Sequence, residues 1–336
     1  MKLIIDCAGG DNGYKATVGG ALTALAKHDD LSVVLIGDER EIEKELSGKD
    51  FDTRRVSTVH APGVITGNDK PTDAIRLKKD SSMIKSISML REEQEIDGMI
   101  STGATGAIVA AATLRIGRVR GIRRPAFCPL LPTMNGGIVG ICDSGANTDV
   151  TPEMLLQYAL MGTLYLKNVY GVERPRTALL NVGVEEEKGD DLHKEGYRLL
   201  KNCPDLCFVG NMEGRDLLSG KYDLVVADGF SGNVLCKTTE GTALQLLKKL
   251  KTDICSKKKY KFGALFMRKM FMEEKEFMNY QNYGGSVLLG VEKTVVKGHG
   301  SSDAKAVAVC IDQAYTIKKS DMNGQLSGIL ERMTKD

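Results

Sequence analysis

Gly98-Met99-Ile100-Ser101-Thr102-Gly103-Ala104-Thr105-Gly106-Ala107 decides how the rest of the chain is read. A short apolar run passes straight into Ser, Thr and Gly, after which the chain is alanine-rich to about Leu114. A strand that ends on small polar residues and opens a helix is the recurring join of an α/β protein. Backbone N–H groups and the positive end of the helix converge above such a strand, and glycine lets an anion come close, so a phosphate or carboxylate seat is expected here. The same residues also suit a plain strand-to-helix turn, because no Lys-Ser/Thr follows and the dinucleotide fingerprint is absent.

Outward from that stretch, buried-strand runs recur at Leu3–Ile5, Val33–Ile36, Val56–His60, Ile138–Cys142, Thr177–Val182, Leu206–Val209, Leu224–Ala227 and Thr294–Val296, with helical spacing between most of them. This alternation predicts a three-layer α/β/α fold whose sheet is largely parallel and covered on both faces. Residues 1–336 read as a single α/β domain, or as two lobes sharing a cleft. In such sheets ligands sit at the carboxyl ends of strands. There the sequence gathers its polar and glycine residues, as in Gly9-Gly10-Asp11 and Ala227-Asp228-Gly229.

The 336 residues carry 46 Lys and Arg against 44 Asp and Glu, a net charge of +2 that gives no electrostatic footprint for nucleic acid. With 42% hydrophobic residues, 27% charged residues and no Trp, the composition is that of an ordinary globular chain. The eight cysteines are scattered, without the spacing of a zinc site or a disulfide framework, and read as reduced and buried. No run approaches the roughly 18 apolar residues of a membrane span, and the chain starts directly on a strand, so a cytoplasmic protein is expected.

One segment departs from this pattern. Residues 254–283 turn rich in Lys, Met and Phe, beginning with Lys257-Lys258-Lys259. Phe262, Leu265, Phe266, Met270 and Glu273 follow three-to-four spacing, which predicts a protruding helix with one apolar stripe. Such a stripe serves either for packing on a second subunit or for lying in a membrane surface with its basic residues near anionic headgroups.

Several polar clusters are candidates for chemistry. His299-Gly300-Ser301-Ser302-Asp303 precedes a helix over 304–314; capping accounts for Ser302 or Asp303 but not for a His and two hydroxyls together. Asp228-Gly229-Phe230-Ser231-Gly232-Asn233 closes a strand and enters the helix carrying Lys237. In Asn181–Gly189 a strand end delivers Lys188 beside a glycine, a placement that suits anion contact as well as a solvated loop. Lys78-Lys79-Asp80-Ser81-Ser82 offers two ammonium groups and two hydroxyls, where either serine also serves as a plain N-cap. No nucleophile elbow, Ser-His-Asp order or Cys-His signature is present, so a covalent acyl-enzyme is not expected.

Taken together, these motifs resemble the PlsX family of bacterial phosphate acyltransferases. The similarity rests on their order along nearly the whole chain: Gly9-Gly10-Asp11, Lys78–Met83, Ser101–Ala107, Arg124-Pro125-Ala126, Leu131-Pro132-Thr133, Asp143-Ser144-Gly145-Ala146-Asn147, Pro152-Glu153, Gly210–Asp216, Asp228–Asn233 and His299–Ser302. Two departures are mild: Cys7-Ala8 stands where the family usually has Ala-Met, and Ala104 where it has Asn. The second removes a side-chain donor, leaving that contact to the backbone or to Thr102 and Thr105.

The resemblance implies a fold similar to phosphotransacetylase and to the isocitrate and isopropylmalate dehydrogenases. It implies acyl carrier protein and inorganic phosphate as substrates, a homodimer, and a following membrane-bound acyltransferase that places the product on glycerol 3-phosphate. Neither a cofactor nor a metal is called for. On this reading Lys188, His299 and Asn233 are the catalytic candidates. Lys79, Ser81, Ser82, Thr102, Thr105, Asn147, Asp228, Lys237, Ser301 and Ser302 are candidates for holding phosphate or the rest of the substrate. Arg115, Arg118, Arg120, Arg123 and Arg124 form a basic cluster that suits an acidic carrier or is simply solvated surface. Three other readings remain: an acyl-CoA enzyme like phosphotransacetylase, a dehydrogenase with Asp143, Asp149 and Asp228 as metal ligands, and a non-catalytic scaffold that collects acyl carriers at a membrane.

Overall fold

The computed structural model describes residues 1–277 and 280–333. Its strands are β1 (Lys2–Asp6), β2 (Ser32–Gly37), β3 (Val56–His60), β4 (Gly98–Ser101), β5 (Ala126–Cys128), β6 (Leu130–Pro132), β7 (Ile138–Cys142), β8 (Arg176–Leu180), β9 (Cys207–Met212), β10 (Leu224–Val226), β11 (Ser286–Leu289) and β12 (Thr294–Lys297). The helices are α1 (Gly13–Lys27), α2 (Glu39–Leu46), α3 (Pro71–Leu77), α4 (Ser82–Glu92), α5 (Thr105–Ala111), α6 (Pro152–Tyr170), α7 (Asp191–Lys201), α8 (Gly229–Ser256), α9 (Lys258–Phe266), α10 (Arg268–Phe277), α11 (Ala304–Lys319) and α12 (Met322–Met333).

Two sheets result. The first has the order β3-β2-β1-β4-β12-β11-β5 and the second β6-β7-β10-β8-β9. Pairing is parallel except where β11 meets β12 and β5, and where β6 meets β7. Every strand anticipated from the sequence is present, and the three not anticipated, β5, β6 and β11, are the ones that pair only antiparallel. Their signal is weak for a physical reason. β5 and β6 are three residues each with Pro129 between them, and β11 follows Gly284-Gly285.

Both faces of the first sheet are covered, and the pleat sorts the residues. Leu3 and Ile5 of β1 join the core beneath α1 and α11, while Ile4 joins the opposite core with Ile84, Ile87 and Leu90 of α4. Each such side chain contributes roughly 1.5–3 kcal/mol on leaving water. The first core continues into the second sheet through Tyr158 and Tyr165 of α6, reaching Leu179, Leu224 and Val226. Helices α1 and α11 lie so close that a Cβ on Gly20 would stand 2.6 Å from the Val307 Cβ.

The helix expected to reach Leu114 is α-helical only to Ala111; Ala112–Ile116 continue with π-type winding, and Gly117 at φ 100° ends it. The protruding segment also differs from expectation. In α8 only Gly229, Gly232 and Cys236 are buried, so the exposed part begins well before residue 254. The stripe Phe262–Glu273 is divided between α9 and α10, because the chain leaves the helical path at Met267. Residues 278–279 of that segment lie outside the described residues. Cys255, near the end of α8, is exposed and Cys207 half-buried, whereas the other six cysteines are buried as expected. Among the described residues, no helix is long and apolar enough to cross a membrane.

Candidate active site

The chain leaves β1, β4 and β12 at neighbouring points, since register pairs Asp6 with Ser101 and Ser101 with Lys297. β1 and β4 flank the place where strand order reverses, the position at which α/β sheets bind ligands. The three following loops pack on one another with almost no room. A Cβ on Gly9 would lie 2.6 Å from the Gly103 nitrogen, one on Gly10 2.8 Å from the Gly300 carbonyl oxygen, and one on Gly298 2.9 Å from the Thr102 methyl. Hydrogen bonds lock this stack: Thr102 Oγ1 donates to the Gly9 carbonyl at 2.8 Å, and the Asp11 N–H donates to the Gly300 carbonyl at 2.7 Å.

In front of these loops lies an open cleft of about 430 Å³. Thr102–Thr105 and Lys297–Gly300 form one wall, and Asn233, Cys236, Lys237 and Glu240 of α8 form another, with Ser144 beyond β7. Phe127, Pro129 and Leu130 add an apolar side. The N–H groups in the first turn of α5, which starts at the cleft-lining Thr105, have no acceptor within their own helix.

Electrostatics in the cleft are set by burial. Desolvation pushes the Lys297 ammonium down to about 8, with the nearby Lys237 charge adding to the effect; Lys297 Nζ is held by the Gly298 carbonyl. His299 is likewise lowered, first by burial and then by the charges of Lys237 and Lys297, so its ring is neutral at pH 7. Its Nδ1 accepts the Ser301 N–H at 3.2 Å, which leaves the proton of the neutral ring on Nε2. The Cys236 thiol is pushed up to about 12, mainly by burial, and is no thiolate nucleophile.

Of the residues singled out from sequence, Thr102, Thr105, Asn233, Lys237 and His299 line the cleft. Ser301 and Ser302 belong to the adjoining turn: Ser301 Oγ lies 2.8 Å from His299 Nδ1, and Asn12 Nδ2 donates to both serine carbonyls. The capping at this turn is done by Asp303, which accepts from the Ala306 N–H. Thr102 spends its hydroxyl proton on the Gly9 carbonyl and so has none left to donate to an anion.

The remaining candidates are placed elsewhere. Lys188 is exposed on the loop after β8, and its carbonyl accepts from Asn181. Lys79 is exposed, and Ser81 caps α4 through the Ile84 N–H. Ser82 Oγ donates to the buried Asp6 at 2.5 Å, alongside Ser101 Oγ at 2.6 Å. Asn147 donates to the Pro125 carbonyl and to Asp143, and Asp228 caps α8. Asp143, lifted to about 6 by burial, spends its carboxylate on the N–H groups of Phe127, Ala146 and Asn147. Asp143 and Asp228 thus serve the backbone, and among the described residues no group of three or more His, Cys, Asp or Glu is arranged around a metal position. In the basic cluster, Arg115 is turned inward onto Ser88 and the Ile75 carbonyl, and Arg123 pairs with Glu153.

Sequence reasoning missed Lys297 and Glu240. Lys297-Gly298 shows the same pattern that drew attention to Lys188-Gly189, a lysine beside glycine at a strand's carboxyl end. Glu240, three residues after Lys237, looked like any solvated helix pair.

A family model described as "Fatty acid synthesis protein" matches residues 1–325. A phosphate acyltransferase from Clostridioides difficile is 39% identical over 336 residues, covering 100% of this chain and 98% of the relative. One from Geobacillus thermodenitrificans is 44% identical over 332 residues, covering 99% of each chain. In three dimensions the chain is similar to a phosphotransacetylase from Streptococcus pyogenes, with a TM-score of 0.61, 17% identity and 94% of each chain covered. It is also similar to a branched-chain phosphotransacylase from Enterococcus faecalis, with a TM-score of 0.53, 13% identity and coverage of 94% and 98%. The structural likenesses show a shared fold; the sequence matches, running the length of the chain, show that this protein belongs to the fatty acid synthesis protein family, that of the phosphate acyltransferases.

Proposed function

We propose that this phosphate acyltransferase moves an acyl group from the thioester of acyl carrier protein to inorganic phosphate in the cleft between the β1, β4 and β12 loops and α8. The observation that supports this reading most is the gathering of Lys297, Lys237 and neutral His299 around glycine loops in one open space. Phosphate dianion is itself the nucleophile: one of its oxygens forms the new bond to the carbonyl carbon, the C–S bond breaks, and the thiolate leaves and takes a proton from water. The high pKa of Cys236 favours this direct attack over an acyl-enzyme.

In this scheme Lys297 and the backbone N–H groups at the start of α5 hold phosphate, His299 Nε2–H donates to the developing oxyanion, and Asn233 orients the carbonyl. Holding the reactants together supplies about 7–11 kcal/mol of the barrier, and each oxyanion donor about 2.7–4 kcal/mol. The two sheets then act as two lobes of one α/β body that share the cleft. For α9 and α10 the exposed Phe262, Leu265 and Phe266 beside Lys257–Lys259 support contact with an anionic membrane surface or a second copy of the chain. Arg120 and Arg124 are exposed and suit the acidic carrier.

The test is incubation of the protein with acyl carrier thioester and phosphate, trapping acyl phosphate with hydroxylamine while counting released thiols. The two should rise together and only with phosphate present. Thiol release without phosphate would mean hydrolysis and overturn the reading. The fold shared with phosphotransacetylases favours one alternative, acyl-CoA as donor; equal turnover with acyl-CoA and with acyl carrier would establish it.

A further inference from the structure

A carboxylate in a cleft for anions works against binding, and Glu240 is such a group. It lines the cleft, yet its side chain is only 12% exposed, while Lys237, whose Nζ lies 2.9 Å from Glu240 Oε2, is 54% exposed. The buried partner is therefore the anchor and the ammonium is the end presented to solvent. A second contact fixes the carboxylate, since Cys236 Sγ lies 3.6 Å from Glu240 Oε1. On its other side Glu240 borders a small cavity lined by Leu131, Pro132, Leu218, Thr239, Ala243 and Leu244. Both Glu240 and Lys237 act electrostatically on His299, and Lys237 acts on Lys297, so all four groups share one field.

We infer that Glu240 is a positioning residue that anchors the Lys237 ammonium at the cleft wall and, by its own charge, keeps phosphate from binding more tightly than turnover requires. The inference rests on the anion cleft proposed above. Glu240 has two separable effects, one of charge and one of geometry. Removing the charge strengthens the field that attracts an anion; shortening the side chain keeps the charge but releases the lysine.

The experiment measures binding of inorganic phosphate alone by calorimetry, and turnover separately, for E240Q and E240D. E240Q should bind phosphate about three- to tenfold more tightly while kcat falls about tenfold. E240D should bind phosphate as the parent does, with a similar loss of kcat. In a Lys237→Ala background E240Q should cost no further kcat, because the group it positions is gone. Unchanged or weaker phosphate binding in E240Q overturns the inference, as do kcat losses that add in the double variant. Should E240Q melt early, E240D decides alone: altered phosphate binding or unaltered kcat overturns the inference. Because phosphate binding is read without an acyl donor, failure of the proposed reaction shows in the parent's turnover and is distinct from failure here.

Discussion

Lys297 of β12 stands at the register position directly beside Ser101 of β4, so the lysine that sequence reasoning overlooked leaves the sheet next to the stretch that defined the fold. Ser101 points its hydroxyl to Asp6 at 2.6 Å and holds the far side of the same sheet end together. An ammonium, a helix opening and three glycine loops are thereby fixed to one rigid edge.

Lys297→Ala should lower kcat/KM for phosphate by roughly a hundredfold, the scale of one preorganised charge contact. Lys188→Ala should change it less than about threefold, because Lys188 is exposed outside the cleft. Steady-state kinetics with phosphate as the varied substrate compare the two; equal losses would extend the site beyond the cleft.

The pH profile follows from Lys297. Its pKa, lowered to about 8, means the cation is present below that pH and is lost above it. Phosphate kcat/KM should fall as pH rises through about 8, and Lys297→Arg should move that fall toward higher pH. His299, lowered from its ordinary value, is neutral across this range and adds no alkaline limb.

Gly9→Ala places a Cβ 2.6 Å from the Gly103 nitrogen and 2.8 Å from its Cα, both backbone atoms that can move only by shifting the loop. A displacement near 1 Å at a reacting site costs on the order of a hundredfold in rate. Turnover should drop by that amount, and thermal melting should fall as well, since Gly9 is buried against the Gly103 backbone.

Asp143→Ala should act on stability. It strips the acceptor from the N–H groups of Phe127, Ala146 and Asn147 in a buried turn. Leaving such donors unmet costs roughly 1–3 kcal/mol each, so the urea midpoint should fall clearly. An unchanged midpoint would mean that water reaches the turn.

Replacing both Leu265 and Phe266 with Asp should abolish sedimentation with anionic vesicles and leave turnover on soluble substrate unaltered, because both are exposed and neither lines the cleft. Loss of a dimer on gel filtration instead would assign the face to a second copy.

The parallel strands, the helices between them and the glycine-bearing turns were legible in the sequence because each is a local pattern: an apolar run, a period, a small residue at a join. Thr102, Thr105, Asn233, Lys237 and His299 were found that way, as residues at strand ends or helix starts. The antiparallel strands β5, β6 and β11 were not, since three or four residues interrupted by proline or preceded by glycine carry no period.

Which turns meet was decided only in three dimensions. Lys188-Gly189 and Lys297-Gly298 are alike as strings, yet β12 lies beside β4 in the first sheet whereas β8 lies between β10 and β9 in the second. Sheet order depends on how helices cover each face, a sum over distant contacts that no short window contains. For the same reason Ser82, Asn147 and Asp228, polar residues at suitable joins, turned to a buried aspartate, to the Pro125 carbonyl and Asp143, and to a helix end. Local chemistry proposes candidates, and the packing of the sheets selects among them.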